Sequence, residues 1–194
     1  MLIRQDNITA VILAGGKGSR LGGQDKGLIL YQNKPLIEHL LKRITPQVAS
    51  VIISANRNHN IYASYGYPVI QDAMADYQGP LAGFSSAMSI AKTDYIITLP
   101  CDGPFISDDL VARLQICLQK NPSKIIVAHD GKHLQPTYAM IPISKLSKLN
   151  QYLDNGGRKI HQRYAENNAV PCDFSDNPKI FTNINTEKQL RHLL

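Results

Sequence analysis

Residues 8–27 read Ile8-Thr9-Ala10-Val11-Ile12-Leu13-Ala14-Gly15-Gly16-Lys17-Gly18-Ser19-Arg20-Leu21-Gly22-Gly23-Gln24-Asp25-Lys26-Gly27. The first seven are mostly apolar, with β-branched Ile8, Thr9, Val11 and Ile12 among them, and they stop at a glycine pair. That length and that breaker predict a buried strand. Behind it, Leu13 to Gly27 holds six glycines, three lysine or arginine residues and one aspartate. Glycines let the backbone approach a ligand closely. Successive exposed N–H groups make an anion nest, and Lys17, Arg20 and Lys26 add full positive charges. A triphosphate asks for that combination.

Outward from this loop, strand and helix patterns alternate. From Pro35, apolar residues at 36, 37, 40, 41, 44 and 48 keep helical spacing, and Ser50 to Ser54 reads as a second strand, with Asn56 to Asn60 as the loop after it. Strand, helix, strand in this compass is a βαβ unit and implies a parallel sheet. Further strands are predicted at 68–70, 94–99, 124–128, 137–140 and 169–174, with a short one near Phe181. Helices are predicted at 80–91, 110–119 (capped by Ser107-Asp108-Asp109), 144–153, 158–165 and 186–194. The expected fold class is α/β: a doubly wound, mostly parallel, Rossmann-like sheet. In such sheets ligands bind at the carboxyl ends of the strands. Gly15, Asp72 and Asp102 each follow a predicted strand.

The 194 residues suit one domain, 1–194, without internal repeat or linker. Hydrophobic residues are 43% and charged residues 19%, an ordinary globular balance rather than a disordered one. No apolar run reaches the ~20 residues of a membrane span, and residues 1–9 lack the apolar block of a signal peptide. A cytoplasmic protein with no membrane partner is expected. Cys101, Cys117 and Cys172 form no C-x-x-C pair, so they are expected to be buried reduced thiols. The net charge of +6 and pI near 9.2 attract anions. There is no basic run and no tryptophan platform for nucleic acid, so small polyphosphates fit best.

Two other glycine motifs fail. A P-loop needs G-x-x-x-x-G-K-[ST], but Gly18 follows Lys17 and Val11 stands at the first glycine. A dinucleotide fingerprint needs a third glycine where Leu21 stands, and Ser54-Ala55-Asn56 ends the second strand without a carboxylate. The pattern L-A-G-G-x-x-x-R-[LM]-G-G-x-D-K fits throughout. It resembles the signature loop of nucleotidyltransferases, and its compact spacing from Arg20 to Lys26 resembles the molybdenum cofactor guanylyltransferases. The resemblance continues through Lys34-Pro35-Leu36, Gln71-Asp72, Gly79-Pro80-Leu81-Ala82-Gly83, Pro100-Cys101-Asp102-Gly103-Pro104 and Phe181-Thr182-Asn183-Ile184-Asn185-Thr186. It spans nearly the whole chain.

The resemblance implies transfer of GMP from GTP to the terminal phosphate of Mo-molybdopterin, with loss of pyrophosphate. The nucleophile is already an anion, so the demand falls on positioning and charge neutralisation. By this likeness Arg20, Lys26 and Asp102 are the catalytic set, with Asp102 as the Mg²⁺ ligand. Leu13, Ala14, Gly15, Lys26, Ser54, Asp72 and Asp102 are the nucleotide contacts. Ser54 stands where the family often has asparagine, and Gly103 where threonine or serine is expected. Gly83, Arg158, Lys159, Asn183 and Asn185 are candidates for the pterin. Asp25 either orients Lys26 or is a plain loop anion. His129 and His133 have metal-like spacing, but they straddle the Asp130-Gly131 turn with no third ligand, and a hairpin is the better reading. Implied partners are GTP, Mo-molybdopterin, other cofactor-biosynthesis proteins and acceptor apo-molybdoenzymes. The close rival is cytidylyl transfer to the same pterin, whose loop tends to read L-A-A-G; Gly16 favours guanine. A sugar- or alditol-phosphate nucleotidyltransferase would carry a longer stretch before its lysine.

Overall fold

In the computed structural model, residues 5–16, 24–71, 79–184 and 189 are described. The apolar run at the start of the chain forms β1 (Ile8–Leu13), buried from Ile8 to Ile12. A strand apolar on both faces needs cover on both faces, and so it lies inside a sheet. Parallel partners flank it: β4 (Ser50–Ser54) on one side and β6 (Tyr95–Pro100) on the other. Beyond β4 lies the two-residue β5 (Val69–Ile70), also parallel. Beyond β6 the sheet continues with β8 (Leu134–Pro142), then β7 (Ile126–His129) and β9 (Val170–Asp173). The order is β5-β4-β1-β6-β8-β7-β9; only β8 runs against its neighbours.

Helix α1 (Leu36–Ile44) buries Leu36, Ile37, Leu40, Leu41 and Ile44, the face its spacing predicts. Together with α4 (Leu110–Lys120) it packs one side of the sheet; α3 (Pro80–Ile90), α5 (Leu146–Asp154) and α6 (Ile160–Glu166) cover the other. Leu40 is fully buried, so Leu40→Ala carries the usual core cost of about 2–5 kcal/mol. Gln47 ties α1 to α4. Its Nε2 donates to the carbonyls of Arg43 and Ser107, each at 2.9 Å, and its Oε1 accepts from Val111 N at 3.0 Å. This far-off amide serves the start of α4, where Asp109 makes no side-chain cap bond.

Several expectations are corrected. Pro178–Phe181 is a 3-10 turn, not a strand. The stretch read as a loop after β4 contains a short helix, α2 (His59–Ala63), entered through Asn58 in the left-handed conformation. The two-residue strands β2 (Leu30–Tyr31) and β3 (Lys34–Pro35) make a separate hairpin, its tip at positive φ on Gln32 and Asn33. Cys117 and Cys172 are joined by a disulfide, with Cα atoms 6.0 Å apart; Cys101 alone is a buried free thiol. Helix α4 packs along β9, which brings cysteines 55 positions apart into register. The predicted helix over 186–194 lies, Gln189 apart, outside the described residues.

Strand β8 carries an irregularity that matters for the site. Val127 pairs with Ala139, but Ala128 pairs with Gln135. Pro136, Thr137 and Tyr138 are therefore unmatched on β7, in a bulge that ends beside the sheet's centre. Bulges re-aim side chains next to functional sites.

Candidate active site

The carboxyl ends of three parallel strands form a common floor. Leu13 is level with Ser54 on β4 and Pro100 on β6. The ladder runs one residue further: Ala14 N donates to Ser54 O at 2.7 Å, and Cys101 N to Leu13 O at 3.1 Å. From β1 the chain crosses to β4 on one side, and a later crossover returns to β6 on the other. That reversal is where doubly wound sheets open a crevice.

A cleft of about 420 Å³ opens there, lined by Leu13, Ala14, Gly15, Gly16, Lys26, Ser54 and Asp102. The first turn of α3, through Gly79, Pro80 and Gly83, forms a second wall, and Thr137 of the bulge a third. The volume suits a nucleotide-sized ligand. A Cβ at Gly15 would come within 2.9 Å of Asn56 Nδ2, so a larger residue there would push that side chain aside.

At the cleft, Lys26 Nζ donates to Asp102 Oδ2 at 2.9 Å. The Asp102 side chain is 9% exposed and the Lys26 side chain 27%, so the carboxylate sits deep and the ammonium sits nearer solvent. Lys26 opens a 3-10 turn (Lys26–Leu28) that Asp25 caps, accepting from Gly27 N at 3.3 Å. The same carboxylate accepts from Tyr62 Oη at 2.6 Å and Asn58 Nδ2 at 2.9 Å, with Arg57 Nε at 3.6 Å. Asp25 is thus an anchor for the turn that carries Lys26. Burial raises the Tyr62 phenol far above its ordinary range, with the nearby Cys101 and Asp25 adding to it. Tyr62 therefore keeps its proton and donates. A Cβ at Gly27 would come within 2.6 Å of that hydroxyl.

Cys101 is buried beside Asp102. Burial first, then the Asp102 and Asp25 charges, push its thiol up, so it is a neutral packing group and not a nucleophile. Behind the Asp102 turn, buried Tyr138 donates to Asn183 Oδ1 at 3.2 Å, and Ile184 N donates to Asp102 O at 2.9 Å. Burial raises the Tyr138 phenol too, well above its ordinary range.

The structure brings Leu13, Ala14, Gly15, Lys26, Ser54, Gly83 and Asp102 together in one cleft and sets Asn183 beside it, in a loop and not on a strand. Arg158 stands behind Gly79, where its carbonyl lies 3.9 Å from the Cβ position. Its Nη1 donates to the carbonyls of Leu153 and Gly157, both at 2.7 Å, so it closes the end of α5. Lys159 is an exposed residue preceding α6 and does not line the cleft. Arg20, Asp72 and Asn185 lie outside the described residues. Residues that sequence reasoning missed are Asn58, Tyr62, Thr137 and Tyr138, none of which stands in a motif. Among the described residues no group of three or more His, Cys, Asp or Glu is placed to hold a metal. His129 and His133 sit at the β7–β8 hairpin, where Asp130 Oδ1 accepts from the backbone N–H of Lys132 and His133.

Residues 10–168 match the family described as the MobA-like NTP transferase domain. The chain belongs to that family. As a MobA-like NTP transferase it is a nucleotidyltransferase, and its seven-stranded, mostly parallel sheet is the doubly wound fold expected from the sequence. It is 44% identical over 186 residues to the molybdenum cofactor guanylyltransferase of Shewanella loihica, covering 96% of this chain and 95% of that one. It is 45% identical to the protein of the same name from Vibrio parahaemolyticus, over 93% of this chain and 91% of that one. In fold it resembles molybdopterin-guanine dinucleotide biosynthesis protein A from Archaeoglobus fulgidus, with a TM-score of 0.80 at 22% identity and 95% coverage of each chain. A nucleotidyl transferase from Methanothermobacter gives 0.74 at 18% identity, over 96% of this chain and 95% of that one.

Proposed function

We propose that the chain, acting as one nucleotidyltransferase domain over residues 1–194, transfers GMP from GTP to the terminal phosphate of Mo-molybdopterin. The observation that carries this reading is the Lys26–Asp102 pair set above three aligned strand ends, beside a glycine backbone. The names of the full-length relatives support the guanine and the molybdenum cofactor.

In the reaction an oxygen of the pterin phosphate forms a bond to the α-phosphorus of GTP. The bond from that phosphorus to the bridging oxygen breaks, and its electron pair leaves with pyrophosphate. No proton has to move. Lys26 turns from Asp102 toward the phosphates and offsets their charge, while the backbone of Leu13, Ala14 and Gly15 seats the nucleotide. Arg20 steadies the α-phosphate or the incoming phosphate. Ser54 offers its hydroxyl to the nucleoside, and Asp72 accepts from guanine or ribose. On the acceptor side we place Gly83, Arg158, Lys159, Asn183 and Asn185.

One buried carboxylate at a cleft suits magnesium, which takes one or two carboxylates and fills its shell with phosphate oxygens and water. Asp102 would hold it, and when bound it supplies further neutralisation of the phosphates. Cytoplasmic location and hand-over to cofactor-biosynthesis proteins and apo-molybdoenzymes belong to the same proposal. Among the described residues no helix is long and apolar enough to cross a membrane.

The test is to incubate the protein with Mo-molybdopterin, Mg²⁺ and labelled GTP or CTP. A guanine dinucleotide and one pyrophosphate per turnover are expected. Equal use of CTP overturns the base assignment, and no product from either overturns the reaction.

A further inference from the structure

The sequence has glycine at 103, directly after Asp102, where the family resemblance implies threonine or serine. The structure supplies a reason. A Cβ built on Gly103 would collide with the hydroxyl of Tyr138 and lie 3.2 Å from its Cζ and 3.1 Å from Asn183 Oδ1. Tyr138 reaches this point because it stands in the β8 bulge, among the residues unmatched on β7. Its ring is fully buried and packs edge-on against Phe181, 5.0 Å between centroids. The tyrosine cannot swing away without opening the core. Its hydroxyl then donates to Asn183 Oδ1, and the next residue, Ile184, binds the Asp102 carbonyl.

We propose that Tyr138 is a positioning residue for the transfer reaction: its hydroxyl fills the space of the missing side chain at 103 and locks Asn183 against the Asp102–Gly103 turn. The lock also fixes which amide atom a substrate meets. With Oδ1 engaged by Tyr138, Nδ2 has no partner among the described residues. Asn183 is therefore presented as a donor, suited to an acceptor oxygen on the incoming substrate, such as a phosphate or ring carbonyl oxygen. This rests on the assignment of Asn183 to the acceptor side made above, but the lock itself is a property of the fold. It accounts for a glycine at 103 without any loss of order, because the hydroxyl arrives from another strand.

Two measurements test it. In the first, Tyr138→Phe is compared with the parent in steady-state transfer. A neutral hydrogen bond is worth about 0.5–1.5 kcal/mol, so KM for the pterin acceptor is expected to rise by up to about tenfold. GTP affinity is expected to stay within about twofold. An unchanged acceptor KM, or an equal loss in GTP affinity, overturns the positioning role. In the second, urea unfolding is followed for Gly103→Ala, Tyr138→Phe and the double variant, and for Tyr138→Phe with Asn183→Ala. Gly103→Ala should destabilise the parent clearly and the Tyr138→Phe background less, and the Tyr138–Asn183 pair should be non-additive. Additive losses in both cycles overturn the lock. The second measurement needs no turnover. Coupled stabilities in a protein that forms no guanine dinucleotide would sustain the lock while the proposed reaction fails.

Discussion

Lys26 Nζ and Asp102 Oδ2 stand 2.9 Å apart although 76 positions separate them. The pair joins the glycine-rich segment to the end of the central strand β6. The pair gives a buried carboxylate a cationic partner; under the proposed function a triphosphate would compete for the same ammonium. Removing one partner of such a pair is more costly than the pair is worth, because the other is left charged and desolvated. Asp102→Asn is expected to keep the fold and to lower transfer by about a hundredfold or more, the scale for losing a group that stabilises developing charge. Lys26→Ala is expected to weaken GTP binding by about 10–100-fold, the range for a charge-assisted bond. Turnover assays and calorimetric titration read the two effects.

Asp25 takes hydrogen bonds from Tyr62, Asn58 and the Gly27 backbone. Asp25→Ala strands a buried phenol and loosens the turn that carries Lys26. We expect a stability loss of about 2–4 kcal/mol by urea unfolding, accompanied by weaker GTP binding. Tyr62→Phe should cost less in stability and move GTP affinity in the same direction. Normal affinity in Asp25→Ala would show that Lys26 does not depend on this anchor.

The Cys117–Cys172 bond closes a loop across a separation of 55. In the chain-entropy picture this is worth about 4 kcal/mol. Thiol titration in denaturant without reductant should find one free thiol, Cys101. A reductant, or Cys117→Ser with Cys172→Ser, should lower the urea midpoint. Three titrating thiols would remove the disulfide from the native protein.

Arg113 clamps Asp176 through both nitrogens, at 2.9 and 2.6 Å, and lies 4.0 Å over the Phe174 ring. The hydrogen bond from Arg113 holds the Asp176 carboxyl below its usual range. A depressed folded value means the contribution is present above the unfolded carboxyl pKa of about 3.9 and is lost as pH falls through the folded value. The Tm difference between the parent and Asp176→Asn should therefore be positive near neutral pH and shrink below about pH 4. A constant difference would place the effect in packing.

What could be read in the sequence was what burial on two faces writes into it. β1 and β6 are mostly apolar runs, broken only by the buried Thr9 and Thr98, because helices cover both sides, and α1 shows its buried face at helical spacing. The same loop that named the family also fixed Lys26 in the cleft. The hairpin 30–35 and α2 escaped because two or five residues are too few to show a period. Phe181 looked strand-like since it is apolar, but it is buried in a turn against Tyr138 and Phe174. The partners of Asp25 lie 33 and 37 positions away, and only folding shows that its carboxylate faces Tyr62. The cysteine pair was hidden in the same way, by a helix laid along a strand.

The three unmatched residues of β8 separate the β7–β8 tip from the floor of the cleft. Residues added or lost around 130–133 would be absorbed on the outer side of that irregularity, leaving Tyr138 where it is. Grafting a tag or a foreign loop at that tip should therefore spare transfer activity.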